Sequence, residues 1–155
     1  MTENGGELVF MFRGEITEFQ FYQNRKAEKL IMMPFCQEDL EMHGHNFFEL
    51  AYITGGTAEH TLENEGKTIS AGDYFFVDYG CLHGFQNCKN LTLINCLFLP
   101  ETVDETLQGC RSFSQLLQGC LLKYYRMSLG QAKFARVFHD RDGQVGRLMQ
   151  EMLLE

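Results

Sequence analysis

The stretch HGHNFFELAYITGG, His43 to Gly56, decides how the rest of the chain is read. On an extended strand, residues of equal parity point to one face. If this stretch is one strand, His43, His45, Phe47, Glu49, Ala51 and Ile53 all turn inward. Two imidazoles and a carboxylate then converge, and His83, on a neighbouring strand, brings a third imidazole. Three nitrogen donors with one carboxylate suit a divalent ion of the Zn, Ni, Fe, Mn or Co kind. A lone histidine is more simply read as a hydrogen-bonded core or surface residue, but four donors at this spacing point to a metal site.

Outward from that stretch, up to about Pro100, β-branched and aromatic runs of five to eight residues alternate with Gly, Asn and Asp. A mixed strand opens over Ile16 to Tyr22 and LIMMPF follows. FFELAYIT is expected to meet TAEHTLEN across a Gly55-Gly56 hairpin turn, since glycine supplies positive φ without steric cost. Further turns are expected at Asn64 to Gly66, Ala71 to Asp73 and Gly80, separating KTIS, YFFVDY and LTLINCLFLP. Many short strands with regular turns imply a closed or sandwiched antiparallel barrel.

Beyond Pro100 the period changes. Phe113, Leu116, Leu117, Cys120, Leu121 and Tyr124 recur at helical spacing, and Ser112 with Gln115 makes a capping box ahead of them. A short strand-like FARVFH leads to Asp142 as a second N-cap, after which Val145, Leu148, Met149, Met152 and Leu153 repeat the helical pattern. The pattern has no Gly or Asn stop before Glu155, so the natural chain is expected to continue.

The 155 residues fit one domain, with 45% of them hydrophobic and a net charge of -8. Most of the acidity lies ahead of Asp78, where 13 acids face 5 bases. Such a balance argues against binding nucleic acid phosphates or anionic lipid. No run is long enough for a membrane span and the start lacks a basic signal-peptide region, so the expected place is the cytoplasm. Six cysteines without a CxxC pair then read as small core hydrophobes, with Cys81 and Cys88 set apart because they flank His83.

These residues resemble the cupins. His43, His45, Glu49 and Gly56 match the first cupin motif, and Gly72, Gly80, His83 and Asn87 match the second at every spacing. Asp78 stands where that motif has proline, and Gln37 where the first has an earlier glycine. Within the cupins, the two motif stretches, LFLP and the helices after it resemble the N-terminal sensor domain of AraC-type transcription regulators, over roughly residues 15 to 155. That resemblance implies a mainly β chain: a jelly-roll barrel over residues 1–100, then a segment over 101–155 with two amphipathic helices that dimerise or link. It also implies a small-molecule or metal effector, a homodimer, and DNA contact only through a further C-terminal domain beyond Glu155.

Phe47, Tyr52, Tyr74, Phe76 and Phe85 are candidate walls of an effector pocket, with His60 and Asn95 as polar contacts. Most aromatic residues on strands are plain core, which is the competing reading for each. The stripe Phe113, Leu116, Leu117, Cys120, Leu121, Tyr124 either covers the barrel or meets a second subunit, and the resemblance favours the dimer. A sensor domain without catalysis is the preferred function. The alternative is a small metal-dependent cupin enzyme of dioxygenase, isomerase or decarboxylase type.

Overall fold

A computed structural model describes residues 11–12, 30–45, 47–99, 105–116 and 137–155. The expected strand at Ile16 to Tyr22 and the stripe positions Leu117, Cys120, Leu121 and Tyr124 lie outside the described residues. Among the described residues eight antiparallel strands make up the sheet: β1 (Met11–Phe12), β2 (Leu30–Gln37), β3 (Leu40–Gly44), β4 (Phe48–Leu62), β5 (Glu65–Ser70), β6 (Asp73–Val77), β7 (His83–Phe98) and β8 (Val137–His139).

Two of these strands are long and belong to both layers of the barrel. The first half of β4 pairs with β6, Glu49 opposite Val77, and with the end of β7, Phe48 opposite Phe98. Its second half pairs with β5, Thr57 opposite Ser70, and with the start of β7, Leu62 opposite His83. The register between β4 and β7 shifts at Ile53/Gly55, Gly55/Thr57 and Thr57/Glu59, where both strands turn the corner between layers. β2 extends one layer along β7, and β3 with β1 extends the other. Pro34, which cannot donate to a ladder, sits in β2, whose described pairing is with β7 alone. The result is the antiparallel barrel that the strand pattern implied, in the mainly β jelly-roll form that the cupin resemblance implied.

The Gly55-Gly56 pair is therefore not a hairpin turn. β4 runs straight through it, and the pair marks the corner instead. Gly56 has φ +74°, and a Cβ there would collide with the backbone of Lys89 and Asn90 across the corner. The true hairpin between β4 and β5 turns at Glu63 and Asn64, one residue earlier than expected, whereas the turns at Ala71-Gly72 and Tyr79-Gly80 fall where expected.

Between the layers lies an apolar core that includes Ile53, Leu62, Ile69, Phe75, Val77 and Leu93, all buried. Burying each of these stabilises the fold by roughly 1.5–3 kcal/mol relative to exposure, so the inward alternation dictates strand register. A second cluster, Phe48, Ile94, Cys96, Phe98 and Met149, lies on the outer face of one layer.

Helices cover that outer face. A 3-10 turn at Glu105–Leu107 precedes α1, described over 113–116. The capping box forms as expected: Gln115 N–H donates to Ser112 Oγ at 3.2 Å, and Ser112 N–H donates to Gln115 Oε1 at 3.2 Å. Asp78, which stands in the proline position of the motif, accepts the Phe113 N–H at 2.7 Å, tying the loop before His83 to the start of α1. β8 joins the barrel through β6, Asp73 opposite His139, so residues past 100 contribute a strand as well as helices.

α2 (Gln144–Leu154) follows. Its N-cap is Gly143, φ 67°, rather than Asp142. The carboxylate that serves the first turn is Asp140, whose Oδ2 accepts the Gly146 N–H at 2.9 Å and the Tyr52 hydroxyl at 3.3 Å. The apolar stripe of α2 divides. Met149 is buried and Val145 and Leu153 pack beside it, while Leu148 and Met152 are 58% and 40% exposed. Among the described residues no helix is long and apolar enough to cross a membrane.

Candidate metal centre and ligand cavity

The strand break at His45 to Phe47 means that the motif spans two elements, β3 and β4, rather than one strand. All its members still face inward: His43, His45, Glu49 and His83 are each no more than 4% exposed. The Nε2 of His45 lies 3.1 Å from Glu49 Oε2, and the Nε2 of His83 lies 3.6 Å from the same oxygen. Donor atoms of His45, Glu49 and His83 all fall within 4.8 Å of one another. His43 stands beside this trio with its ring centroid 4.2 Å from that of His83.

Hydrogen bonds to carbonyls fix two of these rings. A carbonyl can only accept, so His43 Nδ1–H donates to Glu41 O and His45 Nδ1–H donates to Phe47 O, each at 2.9 Å. The Nε2 atoms are left to serve as ligands, the arrangement that carbonyls bonded to Nδ1–H impose in metal sites. Behind His83, its Nδ1 lies 3.4 Å from His60 Nε2. The His60 ring is stacked on Phe75 at 4.0 Å and held against Phe85 at 4.9 Å.

This donor set fits a cation. The Nε2 atoms of His45 and His83 are buried and have no hydrogen-bond partner. A bare imidazole lone pair 3.1 Å from a carboxylate is repulsive, so either a proton on Nε2 or a metal ion must sit between His45 and Glu49. Burial opposes charge on Glu49, but the adjoining His83, His45 and His43 rings outweigh it and hold its carboxyl at about 2. Burial lowers His83 well below the ordinary histidine range and lowers His43 as well, which favours the neutral, metal-ligating form of both. His60, buried among aromatic rings, is pushed down to about 4.

A cavity of about 240 Å³ opens directly on this cluster. It lies under β2, with Met33, Phe35 and Gln37 from that strand, Leu40 and His43 from β3, Phe47 and Glu49 from the motif stretch, and His83, Phe85, Asn95 and Leu97 from β7. A concave, mostly apolar space with a few converging polar groups is the usual form of a small-ligand site.

Residues 34–152 match the AraC-like ligand binding domain family. The chain belongs to that family. Similar curated proteins include the HTH-type transcriptional activator RhaR of Yersinia pseudotuberculosis serotype O:1b (strain IP 31758), 29% identical over 67 residues, which are 43% of this chain and 23% of that protein. The HTH-type transcriptional activator RhaS of Citrobacter koseri is 29% identical over 89 residues, 57% of this chain and 32% of that protein. The matches thus span about a quarter to a third of these relatives. Among solved structures, an RmlC-like cupin from Shewanella frigidimarina is 23% identical with a TM-score of 0.42, covering 45% of this chain and 66% of that one.

In this AraC-like domain the candidate pocket residues separate by strand face. Phe47, Phe85 and Asn95 line the cavity. His60 faces inward but backs His83 instead of lining the space. Tyr52, Tyr74 and Phe76 lie on the outer face: Tyr52 meets Asp140, Tyr74 stacks on Phe138 at 5.3 Å, and Phe76 stacks on Phe113 at 4.0 Å. Phe113 and Leu116, expected at a dimer interface, pack against the barrel. Sequence reasoning missed the β2 wall, although Met33, Phe35 and Gln37 share one parity and could have been placed by it.

The cysteines also divide. Cys96 is the buried thiol of the outer cluster and burial pushes it up to about 11, but Cys36 is exposed and Cys81, Cys88 and Cys110 are half-buried. Cys36 and Cys110 thus depart from the expected core role, while Cys81 and Cys88, set apart from the start, pack against the edge of the inner core. Cys88 belongs to a surface corner, where desolvation and the neighbouring Asp39 raise its thiol to about 11.

Proposed function

We propose that this AraC-like domain is the small-molecule sensing and dimerisation part of a cytoplasmic DNA-binding transcription regulator. DNA contact would belong to a separate domain, since this chain's charge of -8 disfavours phosphate binding. The observation that carries the reading is the cavity under β2 that opens onto buried, convergent donors in a barrel of this family. His45, Glu49 and His83, with His43 adjoining, would hold a divalent ion of the Zn, Ni, Fe, Mn or Co kind. When bound, the ion supplies a fixed positive charge at the cavity's inner end. The chain's own residues orient the ligand and exclude water around it. A second subunit would cover Leu148, Met152 and Leu154 of α2, which are exposed here.

Metal content is the direct test. His45→Ala removes a ligand whose other ring nitrogen is already committed to Phe47 O, and is expected to abolish metal uptake, read by elemental analysis, while circular dichroism still reports the barrel. Wild-type metal content in that variant would remove the site.

One observation favours the enzyme reading, because the same cavity touches Glu49 and His83 and would admit substrate to an open coordination position. Turnover of a small acid by the metal-loaded domain would establish it.

A further inference from the structure

The cavity under β2 is asymmetric, and its asymmetry describes what it holds. At its inner end stand Glu49 and His83. Its flank is apolar, formed by Met33, Phe35, Phe47 and Leu97. Its volume of about 240 Å³ corresponds to about eight waters, taking about 30 Å³ for each. On the same lining, Asn95 Oδ1 is buried without a hydrogen-bond partner, an unfavourable state until a donor arrives.

Register fixes where that acceptor lies. Glu49 is opposite Leu97 and Ala51 is opposite Asn95. Asn95 is thus the diagonal neighbour of Glu49 on the inward face, with backbones about 7–8 Å apart, which one small molecule can bridge.

Charge then selects the class. Among the described residues no Lys or Arg lines the cavity, and Glu49 is the one carboxylate there. A divalent ion held by neutral imidazoles and Glu49 keeps one net positive charge beside buried side chains. An uncompensated buried charge is costly, so the fitting occupant carries a single negative charge.

We infer that the cavity takes a small monoanionic hydroxy-carboxylate with a branched apolar tail. Its carboxylate compensates the metal centre, its hydroxyl donates to Asn95 Oδ1, and its tail packs on the apolar flank. This assignment rests on the metal reading given above and adds the ligand's chemistry to it.

The test uses the zinc-loaded chain and calorimetric titration with three probes: α-hydroxyisovalerate, isovalerate without the hydroxyl, and the uncharged α-hydroxyisovaleramide. The hydroxy acid is expected to bind about tenfold tighter than either analogue, as one satisfied buried hydrogen bond or one compensated charge implies. Asn95→Leu is expected to erase the preference over isovalerate while zinc content stays at the wild-type level. Equal binding of acid and amide, no binding of any probe, or an Asn95→Leu chain that keeps the hydroxyl preference would overturn the assignment and leave the metal site standing. A wild-type chain that takes up no zinc would overturn both. If Asn95→Leu fails to fold, the three probes on the wild type still decide.

Discussion

At the residue scale, buried histidines control how this domain responds to acid. His60 is 1% exposed and held down to about 4, against 6.5 for an ordinary histidine. Its folded pKa lies below the unfolded one, so between these values the unfolded chain binds the proton first. The stability it contributes is complete above about 6.5, falls as the pH drops toward 4, and over that window amounts to about 3 kcal/mol. His43 and His83 shift in the same direction. In chelator, the denaturant midpoint of the domain is expected to fall between pH 7 and pH 4.5, and His60→Asn to flatten part of that slope. A midpoint that does not move would mean that His60 takes up its proton without opening the barrel. The motif histidines were legible in the sequence because a ligand set is written in spacing, and spacing survives a strand break at His45 to Phe47. The burial of His60 between Phe75 and Phe85 was not legible, because those partners come from other strands.

At the element scale, the most informative feature is the seat of α2. Tyr52 leaves the outer face of β4 and gives its hydroxyl to Asp140, which also receives the Gly146 N–H. Gly146 lies over the ring, and a Cβ there would come within 2.5 Å of Tyr52 Oη. Asp140→Ala removes the acceptor for the first turn and is expected to lower the domain's unfolding midpoint modestly, as loss of a helix cap does. Hydrogen exchange should then quicken in α2 before it quickens in β4 or β7. Uniform quickening would show that the helix and barrel open together. Sequence placed this helix correctly but named Asp142 as its cap, because cap chemistry is local and the selection of Asp140 by Tyr52 is not. The same limit explains Gly55-Gly56. Paired glycines permit a hairpin or a bulged corner equally well, and only the pairing of β4 with β7 separates the two.

At the scale of the whole molecule, α2 has one face on the barrel and apolar residues exposed on another. Phe113, Leu116, Val145 and Met149 are spent on the barrel's outer layer, which leaves Leu148, Met152 and Leu154 of α2 exposed. Leu148→Asp is therefore expected to yield monomers by light scattering while circular dichroism still reports the fold, because this side chain is 58% exposed in the single chain. A dimer that persists would place the contact elsewhere. The two long strands carry a different consequence. The turn at Glu63 and Asn64 has His43, His45, Glu49 and His60 on one side and His83 on the other. A chain nicked there would give two pieces that each own part of one coordination sphere, with β4 and β7 as the mating surfaces. Their reassembly should depend on metal, since binding energy that needs both pieces is association energy. Fragment complementation that proceeds equally well in chelator would mean that strand pairing alone suffices, and a metal-dependent signal would make this turn a natural place to split the domain into a reporter.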